Sequence, residues 1–227
     1  MCARELDNRL EDGESKVMGN SNIDGIIFDV DGTVWDSTPV VEEAWNRALM
    51  EAGHSERVTA ARLKGLFGLP MDVIIRDILP DATEEERVRF APYCYKYEHE
   101  YLNKAGGVVY EGFGDMLRAL SAKYPLYVVS NCQAGYIELM LEKTGFDKYI
   151  KDHICFGDND KLKAENIRII CERNNLKNPV YVGATQMDAD ACIEAGVPIV
   201  FASYGFGNVK DPDYVIDTPM ELAGLFN

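Results

Sequence analysis

A parallel α/β sheet with helices on both faces, interrupted after its first strand by an all-helical insertion, is the fold this sequence predicts. Three observations predict it. Short apolar runs recur along the chain: IDGIIFDVDGT from Ile23, PLYVVSN at Pro125–Asn131, HICFGDND at His153–Asp160, PVYVGAT at Pro179–Thr185 and VPIVFAS at Val197–Ser203. Single amphipathic stretches, GYIELMLEKTGF, AENIRIICERNN and MDADACIEAG, lie between the later runs with apolar residues at three- and four-residue spacing. The interval from about Ser37 to Val108 contains no strand-like run. Strands alternating with single helices bury both faces of a parallel sheet, and such folds bind ligands beyond the carboxyl ends of their strands.

In chain order, residues 1–22 are polar and charged and lack the apolar run of a signal peptide. They predict an extension, with Leu6, Leu10 and Val17 as the apolar face of any short helix in it. No later segment reads as a membrane span, so the expected setting is cytoplasmic with no membrane partner. The core is expected over 23–36 and 109–227, and the helical insertion over 37–108. Within the insertion, Val41, Trp45, Ala48, Leu49 and Ala52 form one stripe, with Gly53 as the C-terminal cap. ARLKGLFG and MDVIIRDIL read as two shorter helices. Thr83 and Glu86 have capping-box spacing at the head of a longer one, which Pro92 is expected to kink or break. The links to the sheet are expected at Ser37-Thr38-Pro39 and Gly106-Gly107. A helical insertion on two links predicts a cap that opens and closes, the alternative being a rigid subdomain.

Composition limits the partners. With 227 residues, 47% of them hydrophobic and 27% charged, the chain supplies one good core or a core with an insertion. A formal charge of −15 argues against nucleic acid and anionic membranes, whose affinity comes from clustered Lys and Arg. Cys2, Cys94, Cys132, Cys155, Cys171 and Cys192 form no C-x-x-C pair and read as reduced thiols. His54, His99 and His153 lack zinc-site spacing. Tyr93, Tyr95, Tyr97 and Tyr101 have no basic surround and read as packing, and Gly205-Phe206-Gly207 reads as a turn.

The polar ends of the apolar runs are where chemistry is expected. Asp29 and Asp31 follow a buried run and precede Gly-Thr, so both carboxyl groups can face one pocket as nucleophile and general acid or base. The alternative is that Asp and Gly simply form a good turn. Ser130 and Asn131, Lys161 and Lys163, then Thr185 and Asp188 end three further runs, so four loops converge.

The loops occur in a familiar order. IIFDVDGTVWDS resembles the first motif of the haloacid dehalogenase superfamily, VVSNC the second, KLKAENI the third and VYVGATQMDAD the fourth. The likeness runs from about Ile23 to the C-terminus and is nearest the phosphoglycolate-phosphatase-like branch with a helical C1 cap. It implies a Rossmann-like core and Mg²⁺-dependent hydrolysis of a small phosphorylated metabolite. By that resemblance Asp29 attacks phosphorus, Asp31 is the acid and then the base, and Lys163 offsets charge. Thr33, Ser130, Asn131 and Lys163 hold the phosphoryl group, with Lys161 as the rival lysine. FGLPM resembles a substrate-specificity loop through Gly68, Leu69 and Pro70, although Gly68 and Pro70 also suit the end of one helix and the start of the next. No Ser-Arg signature of the sugar-phosphate mutases is present.

One position departs from the pattern. The fourth motif usually reads Gly-Asp-Thr, its aspartate binding Mg²⁺, and here Gly183 is followed by Ala184. The implied metal set becomes Asp29, the Asp31 main-chain carbonyl and Asp188 behind them. Three origins stay open: an engineered exchange, a natural loss of catalysis, or a site in which Asp188 and water take the missing role. The expected function is accordingly a phosphatase acting through an aspartyl-phosphate, with its activity in question. The alternatives are an inactive phospholigand-binding or regulatory protein and a phosphotransferase or mutase.

Overall fold

The computed structural model describes residues 22–226. The proposed extension and Cys2 therefore lie outside the described residues, apart from Asn22. Its elements are β1 (Gly25–Phe28), β2 (Trp35–Asp36), α1 (Thr38–Glu51), α2 (Ala60–Lys64), α3 (Met71–Ile78), α4 (Glu84–Ala105), β3 (Val108–Val109) and α5 (Phe113–Ser121). They continue with β4 (Leu126–Ser130), α6 (Tyr136–Thr144), a 3-10 helix at Asp147–Tyr149, β5 (Ile150–Cys155), α7 (Phe156–Asn159) and α8 (Lys163–Asn174). The chain ends with β6 (Pro179–Gly183), α9 (Gln186–Ala195), β7 (Ile199–Ala202), β8 (Tyr214–Ile216) and α10 (Pro219–Leu225).

Six strands form one parallel sheet in the order β5-β4-β1-β6-β7-β8. Successive side chains of a strand point to opposite faces, and the apolar runs fill both. Ile26, Phe28, Val128, Val182 and Val200 face α5, α6 and α10 in one cluster, which is continuous with the cap. Ile27, Tyr127, Val129, Tyr181 and Ile199 face Ile167 and Ile170 of α8 and Cys192 of α9 in a second. Each such side chain stabilises the fold by roughly 1.5–3 kcal/mol relative to exposure. Because β1 lies between β4 and β6, the carboxyl ends of these three strands open together, the place where sheets of this type bind ligands.

Helices α1–α4 lie between β2 and β3, which pair antiparallel through Trp35↔Val109 and Asp36↔Val108. The capping box at Thr83 and Glu86 is present, and Gly53 leaves α1 at φ +83°. Two expectations need correction. Pro92 lies inside one continuous helix, α4. It is on the solvent side, and the carbonyl it leaves unbonded belongs to exposed Val88, so water can satisfy it, while Phe90, Cys94, Tyr97 and Leu102 anchor the buried side. Ser37-Thr38-Pro39 is the start of α1 and not a link: Pro39 suits the first turn, and Asp36 Oδ1 accepts the Thr38 amide at 3.0 Å and its hydroxyl at 2.6 Å.

The run read at His153–Asp160 also differs, since β5 begins at Ile150 and the acidic end coils into α7. Among the described residues no helix is long and apolar enough to cross a membrane.

Candidate active site

The turn after β1 sets the first two acids. The Asp29 amide continues the sheet by donating to Val182 O at 2.9 Å. Gly32 then adopts φ +80°, and a Cβ there would lie 2.8 Å from the Phe206 ring, so both conformation and space call for glycine. The result holds Asp29 and Asp31 in different settings. Asp31 Oδ1 accepts the Ser37 hydroxyl at 2.5 Å and lies 2.9 Å from the Tyr136 hydroxyl. Asp29 Oδ1 instead accepts the Lys163 ammonium at 2.9 Å.

Lys163 opens α8, is 2% exposed, and also donates to Asp188 Oδ1 at 2.5 Å. The rival Lys161 is on the surface, paired with Glu165. Asp188 caps α9: its Oδ2 accepts the amides of Ala184 (3.1 Å) and Thr185 (3.0 Å) and the Thr185 hydroxyl (2.8 Å). Ser130 ends β4 and is buried, and Asn131 follows it, its Nδ2 donating to Gly68 O at 2.8 Å. Thr33 is buried in the same turn as Asp31, and its Oγ1, like Asn131 Oδ1, has no hydrogen-bond partner among the described residues. The structure thus brings the four loops together.

Burial pushes the Asp29 carboxyl up to about 6, with Lys163 pulling it back. Burial pushes Asp31 up to about 7, against the hydrogen bonds from Ser37 and Tyr136 and with the Asp29 charge adding to the rise. Burial works against the Lys163 charge, but Asp188 and Asp29 more than offset it, so the lysine stays protonated. Both carboxyl groups are thus raised by burial, and what differs between them is the partner: an ammonium for Asp29 and two hydroxyls for Asp31.

The cap reaches this centre. Gly68 has φ +100°, and a Cβ there would lie 2.9 Å from Met187 Cε and 3.6 Å from Thr185 Oγ1, so Gly68 borders the fourth loop, while Leu69 lines the space beside Asp31 and Pro70 caps α3. Glu98 of α4 is buried and accepts from Trp45 Nε1 and Gln133 Nε2, each at 2.7 Å; burial raises its carboxyl to about 7. Phe206 packs near Phe67 at 6.4 Å between ring centres. Sequence reasoning missed Ser37, Tyr136, Glu98, Gln133 and the 204–207 loop as parts of the site. Only Ser37 carried a signal, as the Ser of Asp36-Ser37 in the first motif.

The donors present do not fit Mg²⁺ held in the way the resemblance implies. Among the described residues no three His, Cys, Asp or Glu side chains gather as a cation site. The Ala184 methyl is fully buried, and Gly205 lies so near that a Cβ on it would be 2.4 Å from Ala184 Cβ. Asp188 is engaged at both oxygens, by Lys163 on one side and by the α9 cap on the other. The second carboxylate oxygens of Asp29 and Asp31 and the Asp31 main-chain carbonyl are left outside the hydrogen bonds described, with no further acid beside them to complete the oxygen-rich set Mg²⁺ prefers.

Comparison with known proteins agrees with this architecture. The chain is 26% identical to a phosphoglycolate phosphatase of Photobacterium profundum over 222 residues, covering 88% of this chain and 94% of the relative. It is 25% identical to the phosphoglycolate phosphatase of Escherichia coli K12, covering 88% and 91%. A Haemophilus somnus crystal structure, described as a "predicted phosphoglycolate phosphatase", superposes with a TM-score of 0.83 at 23% identity, over 92% of this chain and all 100% of that one. A haloacid dehalogenase-like protein of Streptococcus pneumoniae superposes with a TM-score of 0.79 at 20% identity, over 90% and 99%. The haloacid dehalogenase-like hydrolase family matches residues 26–202, most of the chain and all four converging loops, and to that family this chain belongs.

Proposed function

We propose that this chain takes a small phosphate monoester and retains the residues for its hydrolysis through an aspartyl-phosphate, with turnover held low by Ala184. The observation that carries the reading is the separation of the two acids: Asp29 lies on the Lys163 ammonium, while Asp31 is held on Ser37 and Tyr136. The names of the phosphoglycolate phosphatase relatives support the substrate class.

In this mechanism the Asp29 carboxylate attacks phosphorus and the ester P–O bond breaks. Asp31 gives its proton to the departing oxygen, which leaves as the alcohol. Water then attacks the phosphorus of the acyl phosphate, Asp31 takes the water proton, and Asp29 and inorganic phosphate are released. Lys163 offsets the charge that gathers as a phosphate dianion nears a carboxylate. Ser130, Asn131 and Thr33 border the phosphoryl oxygens, and the Gly68-Leu69-Pro70 loop borders the leaving group. The thiols of Cys94, Cys132, Cys155, Cys171 and Cys192 are all free, which supports a reducing, cytoplasmic setting.

A non-hydrolytic phospholigand-binding protein is the second reading, favoured by the engagement of Asp188 beside Ala184. Phosphate release from a panel of small monoesters, with and without Mg²⁺, separates the two. Ala184→Asp is expected to gain Mg²⁺-dependent release of at least about tenfold, and adding Asp29→Asn is expected to abolish it. A folded Ala184→Asp variant that binds Mg²⁺ and releases no phosphate would leave the binding reading standing.

A further inference from the structure

Beside Asp31, the space between cap and core offers hydrogen-bond acceptors and, among the described residues, no cation. A chamber of about 40 Å³ lies beside Asp31, walled by Trp45 and Glu98 of the cap and by Asn131, Gln133 and Tyr136 of the core. It shares Asn131, Gln133 and Tyr136 with a larger cavity of about 680 Å³ under α4.

Each side-chain donor group on those five walls already makes a hydrogen bond, and the amides of Asn131 and Gln133 each keep a second N–H. Trp45 Nε1 and Gln133 Nε2 donate to Glu98, Asn131 Nδ2 donates to Gly68 O, and the Tyr136 hydroxyl lies against Asp31 and Ser37. One acceptor is left over. Asn131 Oδ1 is buried with no partner among the described residues, and the Nδ2 bond to a main-chain carbonyl fixes which end of the amide it is. Asp31 and Glu98 add two carboxyl groups, and no Lys, Arg or His lines the chamber. Lys96 and His99 border only the larger cavity, and the Lys96 ammonium is held 4.7 Å above the Tyr97 ring and 4.0 Å from Glu51.

We propose that this chamber selects a leaving alcohol that carries a hydrogen-bond donor and no negative charge, a hydroxyl or an ammonium group, and that Glu98 and Asn131 are the selecting residues. The inference rests on the phosphomonoester reading, because Asp31 marks the side on which the ester oxygen departs. A carboxylate on the carbon next to that oxygen, as in glycolate, enters beside Glu98 and beside Asp31, whose proton is committed to the departing oxygen, with no cation to meet it. A hydroxyl or ammonium group gives Asn131 Oδ1 its missing donor and lies near Glu98. Sites built to accept a hydrogen bond reject analogues that lack the donor, because the buried acceptor is then left unpaired. The selection accordingly runs against the phosphoglycolate for which the relatives are named.

Titration calorimetry of the full chain in Mg²⁺-containing buffer tests it with four probes: inorganic phosphate, 2-hydroxyethyl phosphate, O-phosphoethanolamine and 2-phosphoglycolate. The two donor-bearing esters are expected to bind about tenfold or more tighter than 2-phosphoglycolate. Glu98→Gln is expected to narrow that gap by strengthening 2-phosphoglycolate, with the affinity for inorganic phosphate unchanged; a merely structural role for Glu98 would shift all four together. Inorganic phosphate bound alongside a 2-phosphoglycolate affinity equal to that of the other esters overturns the selection alone. Failure of all four probes to bind overturns the phosphoryl site itself, and the selection with it.

Discussion

Asp29 in the core and Glu98 in the cap are both buried carboxyl groups held by hydrogen bonds, yet their electrostatic settings are opposite. Asp29 meets the Lys163 ammonium, which a second acid, Asp188, also grips. Glu98 meets two neutral donors, the Trp45 indole and the Gln133 amide. In the core, charge is balanced by charge inside the fold. In the cap, burial is countered only by dipoles, so the Glu98 carboxyl is raised to about 7 and faces the space between the two parts without a cation. On the readings proposed above, the same residue class serves as machinery in one place and as a filter in the other, and the partner decides which.

The largest expected effect breaks the core side of this comparison. Lys163→Met leaves Asp29 and Asp188 buried without their cation and is expected to lower unfolding stability in urea by about 3–5 kcal/mol. Adding Asp188→Asn is expected to recover part of that loss. A loss below about 1 kcal/mol would mean that the core acids, like Glu98, are carried by neutral donors.

The cap side is sharpened by pH. Burial raises the Glu98 carboxyl from 4.5 to about 7, so between those values the folded chain keeps a proton that the unfolded chain has released. Stability from this group is complete below the unfolded value and is lost as the pH climbs through the folded one. Glu98→Gln cannot ionise. It is expected to exceed the parent in stability at about pH 8 by up to about 3 kcal/mol and to lose most of that advantage near pH 5. Equal urea midpoints at both pH values would show that a cation reaches Glu98 after all. The smallest effect is expected from Trp45→Phe, which removes one donor from Glu98 Oε2 and costs about 1–3 kcal/mol by equilibrium unfolding. A loss that persists unchanged in a Glu98→Gln background would assign it to packing and not to the hydrogen bond.

Legibility in the sequence followed the range of the interactions. Four of the five strand runs, the capping box at Thr83 and the Asp29-Val30-Asp31-Gly32 turn are set by neighbours a few residues apart and were readable, while the fifth run was read three residues late. Tyr136 bonds Asp31 across 105 residues and Trp45 bonds Glu98 across 53, with no local pattern to announce either. The break expected at Pro92 is absent, and the carbonyl it frees belongs to exposed Val88. The 204–207 segment read correctly as a turn, but its place over Gly32 and Ala184 came from the sheet order, which sets β7 beside β6.

By itself the sequence determined the α/β alternation, the helical insertion and the four polar loops, because period and turn chemistry are properties of adjacent residues. It also determined that an alanine stands where the family's pattern has an acid. Only the tertiary structure decided which lysine is buried, that Asp188 is already engaged, and that the chamber beside Asp31 holds acceptors without a cation. Those are matters of which side chains remain unpaired once strands and helices far apart in the chain have packed, and pairing is settled in space.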